Sequence, residues 1–463
     1  MTVNLTEGKP EKVLFRFTLP LFISVVFQQL YNMADSWIAG NYAQDGESAL
    51  AAVGASYPIT MIFMAIAVGS NIGCSVVISH YFGAKRFDKV KTVVYTSLIG
   101  SLAISALLSL AGRFFSAPLL RLVKTPEVIF SDSALYFNIY IYGFAFVFLY
   151  NVATGIFTAL GDSKTPLYFL IGSSLGNIAL DALFVIVFHW DVAGVAWATF
   201  IAQGVACVLA LITLFVRLSS LRCDSYSRFS FRDLGLVGRF ALPSILQQSF
   251  ISLGGIAIQS LINRYDSAAI LAGYSAAIKL NTFALTSFNT LGNGMSSFTA
   301  QNIGAGKPER VSKGGFRGGL VMGLSFSALF FLIYFFFGGQ LVSAFIHNPS
   351  ELAVETGRMF LWIVSPFYMV VTVKIIIDGV LRGSGRMGQF MFATFIDLVL
   401  RVALSYLFDP LWQTTGIWIS WPVGWLIAMG ISLIFYKKGG WQKSELERTE
   451  RKKAPSMAGR KTE

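Results

Sequence analysis

Four carboxylates, Asp35, Asp181, Asp378 and Asp397, and three basic side chains, Lys279, Lys374 and Arg401, fall inside long apolar stretches of this chain. Each charge at such a depth costs roughly 2.5–3.5 kcal/mol on insertion scales, so it is rarely there for packing alone. Spacing sorts them. Lys374 and Asp378 are four residues apart, as are Asp397 and Arg401. Residues at that spacing meet on one helix face and can neutralise each other, which predicts structural or gating ion pairs. Asp35 and Asp181 lie in stretches whose central portions carry no Lys or Arg. Such an acid is either protonated in one state or holds a cation, and both fates suit a coupling site. Asn177, one turn before Asp181, adds an amide, and Thr199 in the next stretch adds a hydroxyl. The four side chains Asp35, Asn177, Asp181 and Thr199 offer hard oxygens and a proton acceptor. A buried polar network that only fixes helix packing is the alternative. Gln28, Tyr31 and Asn32 share one helical face with Asp35 and are candidate substrate contacts.

The elements that must position these residues are membrane spans. The chain has 463 residues, 55% hydrophobic and 13% charged, against roughly 25% charged in soluble domains. The apolar residues cluster in runs of about twenty or more. Twelve spans are predicted, at about 13–38, 50–79, 93–115, 133–160, 166–188, 193–216, 240–264, 268–300, 315–338, 352–381, 388–408 and 414–436. The expected fold is an all-α polytopic membrane protein, since the runs lack the alternation of a membrane barrel. Lys85, Arg86, Lys89, Lys164, Arg217, Arg232, Lys307, Arg310 and the tail all fall on the side holding both termini, which predicts cytoplasmic termini. The net charge of +12 therefore reads as membrane orientation rather than nucleic-acid binding. The first run is too long for a secretory h-region, so it is expected to stay as a helix. Cys74, Cys207 and Cys223 show no pairing pattern, and His80, His189 and His347 are far apart, so neither disulfide nor metal site is expected. Gly304-Ala305-Gly306-Lys307-Pro308 fails the phosphate-loop pattern, with Gln301 in place of the first glycine. With no nucleotide-binding stretch, energy is expected from an ion gradient; no cofactor and no catalytic constellation is expected.

The two halves repeat in order. Arg16-Phe17-Thr18-Leu19-Pro20 recurs as Arg239-Phe240-Ala241-Leu242-Pro243. His80-Tyr81-Phe82-Gly83-Ala84-Lys85 recurs as Gln301-Asn302-Ile303-Gly304-Ala305-Gly306, and Leu160-Gly161-Asp162 falls opposite Ser384-Gly385-Arg386. Six spans per half is an even number, so this is a parallel repeat: two six-helix bundles that rock about a central cleft. The expected organisation is a cytoplasmic N-terminus (1–12), a first bundle (13–217), a cytoplasmic linker (218–238), a second bundle (239–436) and a basic, disordered tail (437–463).

The chain resembles the multidrug and toxic compound extrusion (MATE) family over about residues 10–436. The resemblance rests on the duplicated twelve-span layout, the Leu19-Pro20 and Leu242-Pro243 pairs, the Gln28 to Asp35 face, the Gly83-Ala84 and Gly304-Ala305 loops, and the Leu160-Gly161-Asp162 and Leu381-Arg382-Gly383 breaks. It implies cation-coupled export of organic, often cationic, compounds. Asp35, Asn177, Asp181 and Thr199 match the amino-terminal cation site of the DinF-like branch. The seventh span, Ile245-Leu246-Gln247-Gln248-Ser249-Phe250, lacks the acid of the NorM-like branch. The resemblance also implies that loading Asp35 changes a bend at Pro20.

The expectation is therefore a secondary antiporter in the plasma membrane, taking H+ or Na+ against a small organic substrate. Its partners are that substrate and the lipid bilayer, without nucleic acid, and a monomer is expected. Tyr136, Tyr140, Tyr142, Tyr150, Phe283 and Phe288 are candidates to line the cavity and hold cations on their ring faces. A flippase for lipid-linked precursors is the first alternative, but it favours a Lys/Arg-rich cleft that the first half lacks. A membrane-embedded enzyme is the second, and its clustered catalytic residues are missing.

Overall fold

The computed structural model describes residues 3–42, 46–123, 125–346, 348–443 and 446, and the side chains of these except 33–42, 46–51 and 53. Asp35 therefore keeps its place in a helix while its side chain lies outside the described residues, as do His347 and nearly all of the tail after 443.

All regular structure among the described residues is helical. The first lobe comprises α1 (Pro10–Tyr42), α2 (Gly46–Gly83), α3 (Phe87–Phe114), the short α4 (Ser116–Leu122), α5 (Glu127–Ala159), α6 (Lys164–Asp181) and α7 (Asp191–Ser219). The second comprises α8 (Phe231–Asn263), α9 (Ala268–Gly304), α10 (Phe316–Ala344), α11 (Glu351–Val364), α12 (Tyr368–Gly383) and α13 (Met387–Lys437). Among the described residues eleven helical stretches are long and apolar enough to cross a membrane, α11 and α12 together forming one of them. The longest, α13, has 51 residues and breaks its helical geometry at Gln413 (φ 53°, ψ −140°), which divides it into two spans and makes twelve.

The repeat is written in the backbone. Lys85 and Gly306 both adopt positive φ (56° and 70°), as do Gly161 and Gly385 (78° and 83°) and His189 and Gln413 (54° and 53°). The helix ends before 161 and 385 close with the same three bonds: Leu160, Gly161 and Asp162 donate to Ile156, Thr158 and Phe157, and Ser384, Gly385 and Arg386 donate to Val380, Arg382 and Leu381. A left-handed residue that stops a helix this way uses up its last orphan carbonyls.

The lobes meet on the face that carries the termini. The largest apolar core draws on both, joining Phe17, Cys74, Val94 and Phe157 to Leu291, Phe298, Ile376 and Met387. The contact is reciprocal across the repeat: Gly83 packs on the Gln301 carbonyl, and Gly304 on the His80 carbonyl. The Gln301 side chain donates to the Ala159 carbonyl at 2.7 Å. Residues 3–8 strap the joint: Val3 N–H donates to the Gly161 carbonyl (2.9 Å) in the first lobe, while Asn302 of the second donates to Leu5 (3.0 Å) and Arg310 to Gly8 (2.8 Å). Toward the opposite face the cores separate. One consists of buried residues from the second lobe, such as Tyr274, Phe360 and Trp418, and another of residues from the first, such as Phe63, Phe137 and Phe144. Among the described residues the lobes thus share one core on the terminal face and keep separate cores toward the other.

Within the expected linker 218–238, α8 begins at Phe231, with the Ser230 side chain accepting from Asp233 N–H; Lys89 reaches Asp233 at 3.5 Å and ties it to α3. The start of the expected tail is anchored. Trp441 is buried and stacks on Tyr436 at 5.2 Å, the Gly440 carbonyl accepts from Arg386 at 2.6 Å, and Leu446 is buried in the shared core. An aromatic and an aliphatic residue in a polar tail were enough to anchor its start.

Candidate transport site

Directly above the closed seam lies a cavity of about 230 Å³. Ser24 and Gln28 of α1, Asn71 and Ser75 of α2, Tyr150, Asn151, Thr154 and Thr158 of α5, and Thr290, Asn293, Ser296 and Ser297 of α9 supply its polar lining, and none of its lining among the described residues is charged. Local hydrogen bonds hold several of these groups. Asn71 donates to Thr154 Oγ1 at 3.3 Å, Asn151 to the Val147 carbonyl at 2.8 Å, and Ser75 meets Ser297 across the lobes at 3.4 Å. A weakly committed, uncharged polar wall suits compounds of varied shape, since no fixed charge is left uncompensated when one leaves.

Asp181 is placed apart from this cavity. It is fully buried on the last turn of α6, where the helix passes into a π-helical turn, Ala182–Val187. Asn177, one turn earlier, is 2% exposed, and neither its amide oxygen nor its nitrogen has a hydrogen-bond partner among the described residues. A buried amide left so costs about 1–3 kcal/mol, which keeps Asn177 a candidate ligand group. α1 packs along α6, the π turn and α7, so the helix that carries Asp35 runs beside Asp181. Thr199 lies on α7 in a separate void of about 20 Å³ shared with Tyr136, Tyr140 and Gln203, room for a single water. The structure therefore brings Asn177 and Asp181 onto one buried face, and sets Thr199 on the adjoining helix.

Residues 20–183 and 243–407 match the MatE family. The chain belongs to that family. As a MATE protein it is a multi-pass membrane transporter and not an enzyme. YpnP of Bacillus subtilis, a probable multidrug resistance protein, is 28% identical over 445 residues, covering 96% of this chain and 98% of its own. The FAD transporter of Shewanella oneidensis is 25% identical over 353 residues, 74% of this chain and 75% of its own. In fold, the MATE chain is similar to an outward-facing multidrug resistance MATE transporter of the MOP superfamily, with a TM-score of 0.88 at 22% identity over 95% of this chain and 97% of that one.

The second MATE lobe holds its charges differently. Lys374 Nζ lies 2.7 Å from Asp378, both nearly buried, and also donates to Thr394 at 3.3 Å; Ser432 donates to the other Asp378 oxygen at 2.8 Å. Arg401 reaches Asp397 at 3.1 Å, with its guanidinium 4.3 Å from the Trp421 ring centre. Lys279 is exposed. It shares the unburied stripe of α9 with Thr282, Thr286, Thr290 and Asn293, whose last two members line the cavity, so it faces the cleft.

Of the substrate candidates, Gln28 lines the cavity, Tyr31 is half-buried and Asn32 exposed further along α1. Among the aromatics Tyr150 lines the cavity and Tyr136 and Tyr140 line the small void. Phe288 and Phe283 do not line it: Phe288 is fully buried between Phe330 and Tyr368, and Phe283 packs edge-on against Phe330. Tyr142 is largely exposed and accepts from Arg113 at 3.3 Å. Both corrections share a cause, since an aromatic in a membrane helix satisfies core and lipid as well as a cavity. The residues missed were Asn71, Ser75, Asn151, Thr154 and Asn293. Their signal was present as polar side chains at spacings of three and four within apolar runs.

Proposed function

We propose that this transporter is a cation-driven antiporter that exports organic compounds across the plasma membrane, with both termini in the cytoplasm and each monomer working alone. The observation that carries the reading is the separation of two sites: a polar cavity between the lobes, and the buried Asn177–Asp181 face of the first lobe beside α1. A cation, H+ or Na+, loads Asp181 and Asp35 with Asn177 and Thr199 in support. Substrate occupies the cavity through Gln28, Asn71 and Tyr150. Linkage needs only that cation and substrate favour different states. α1 joins the two sites, and it continues through Pro20, whose carbonyl accepts from Ser24 Oγ at 2.9 Å. Proline removes one helical bond there, so loading near Asp35 can alter the bend. Normal export by Pro20→Ala would remove the bend from the mechanism. Multidrug substrates are the first expectation, by likeness to the multidrug relatives.

A second reading, export of an anionic compound, draws on Lys279 in the cleft and on the FAD transporter among the relatives. The test is export of a fluorescent cationic dye and of an anionic one from proteoliposomes, with proton and sodium gradients collapsed separately. Cationic-dye export that stops with one gradient supports the first reading. Export indifferent to both gradients, or full export by Asp35→Asn, contradicts it.

A further inference from the structure

A second recess lies on the outside of the closed seam. It is a groove of about 460 Å³ between α1 and α10, lined by Glu11, Phe15, Arg317, Val321, Phe326 and Leu329 among others. We infer that it holds one anionic phospholipid from the leaflet on the terminal face.

The groove has a polar end and an apolar length. Its floor is sealed where Thr18 Oγ1 donates to Met322 Sδ at 3.2 Å and Phe22 packs on Phe326 at 4.5 Å. Its walls expose hydrocarbon: Val321 is 61% exposed, Leu329 52% and Phe15 48%. From Arg317 to Leu329 the groove follows α10 for about 18 Å at 1.5 Å per residue, close to the roughly 15 Å depth of one leaflet's hydrocarbon. Charge collects only at the terminal end. Arg317 lies in the groove itself, and Lys12 and Arg16, one helical turn apart, each follow a groove residue of α1, Glu11 and Phe15, in the sequence. All three are exposed, and none makes an ion pair among the described residues. Three cations against the single Glu11 favour a headgroup of negative charge, and basic recesses between membrane helices are known to select such headgroups. Because one wall belongs to each lobe, the lipid bridges the seam, and an acyl chain there would stabilise the closed terminal face.

The experiment uses the full chain in phosphatidylcholine vesicles with a trace of spin-labelled phosphatidylglycerol or spin-labelled phosphatidylcholine. It needs neither gradient nor substrate, so its failure leaves the antiport reading untouched. A slowly exchanging component that prefers phosphatidylglycerol is expected. Arg317→Gln should lower that preference roughly fivefold, the worth of one basic residue at an anionic surface. Arg232→Gln, on the same face but outside the groove, should leave it unchanged. Val321→Trp, at an exposed position that tolerates bulk, should remove the component for both lipids. An unchanged preference in Arg317→Gln, an equal loss in Arg232→Gln, or a surviving component in Val321→Trp would each overturn the proposal. Unfolding temperatures in detergent, equal for wild type and Arg317→Gln, exclude loss of fold as the cause.

Discussion

The two lobes share a backbone plan and assign opposite chemistry to the same positions. With the offset of 224 residues that joins Gly161 to Gly385 and His189 to Gln413, Asn177 corresponds to Arg401 and Asp181 to Ser405. In the second lobe the position is charge-paired, although Arg401 Nε and Asp397 Oδ1 have no hydrogen-bond partner among the described residues. Arg401 is held by Asp397 and an indole face, and Ser405 is bonded to Ser420 at 2.7 Å and to the Arg401 carbonyl at 2.8 Å. In the first lobe the same two positions hold a buried acid and an amide with unmet bonding capacity. Duplication supplied two equivalent frames. One carries paired charges, and the other is the position the proposed coupling would use.

Four substitutions test this contrast. Asp181→Asn, which keeps shape and removes charge, should reduce gradient-driven export to the level of empty vesicles while leaving unfolding temperature near that of wild type. Lys374→Ala strands Asp378 in a buried setting and should cost about 3–5 kcal/mol of stability, measured by denaturation in detergent; the double replacement Lys374→Met with Asp378→Leu should recover most of it. If Lys374→Ala instead abolished coupling at unchanged stability, the second lobe would have a share in the chemistry. Asn177→Ala should raise the cation concentration for half-maximal export about tenfold, the worth of one hydrogen bond to a charged group. Gln301→Ala removes the side chain that bonds Ala159 across the seam. It should cost about 1 kcal/mol, read as a modest rise in cysteine labelling at the terminal face.

Much of this architecture was legible because membrane burial imposes long apolar runs. Even the break between the last two spans was readable from Asp409-Pro410 and the polar Gln413-Thr414-Thr415, although the structure makes it a single kink in α13. The i,i+4 charges of the second lobe were equally plain, since spacing alone makes Lys374 and Asp378 neighbours. The short α4 was missed because Ser116–Leu122 is too brief to carry a period. The π turn was missed because Ala-Leu-Phe-Val-Ile-Val reads like any apolar helix. The cavity was missed for a different reason. Its polar lining comes from four helices of both lobes, two side chains each from α1 and α2 and four each from α5 and α9, so no single stretch announces it. Lys279 shows the same limit: a cleft-facing and a lipid-facing lysine look alike until the unburied stripe of α9 joins it to Thr290 and Asn293.

The central claim is that coupling belongs to the first lobe alone. Cation release on substrate binding tests it directly in purified protein, with protons followed by a pH indicator and sodium by displacement of radioactive sodium. Wild type should release one or the other when dye is added, Asp181→Asn should release neither, and Asp378→Asn should release as wild type does. Release retained in Asp181→Asn and lost in Asp378→Asn would contradict the account.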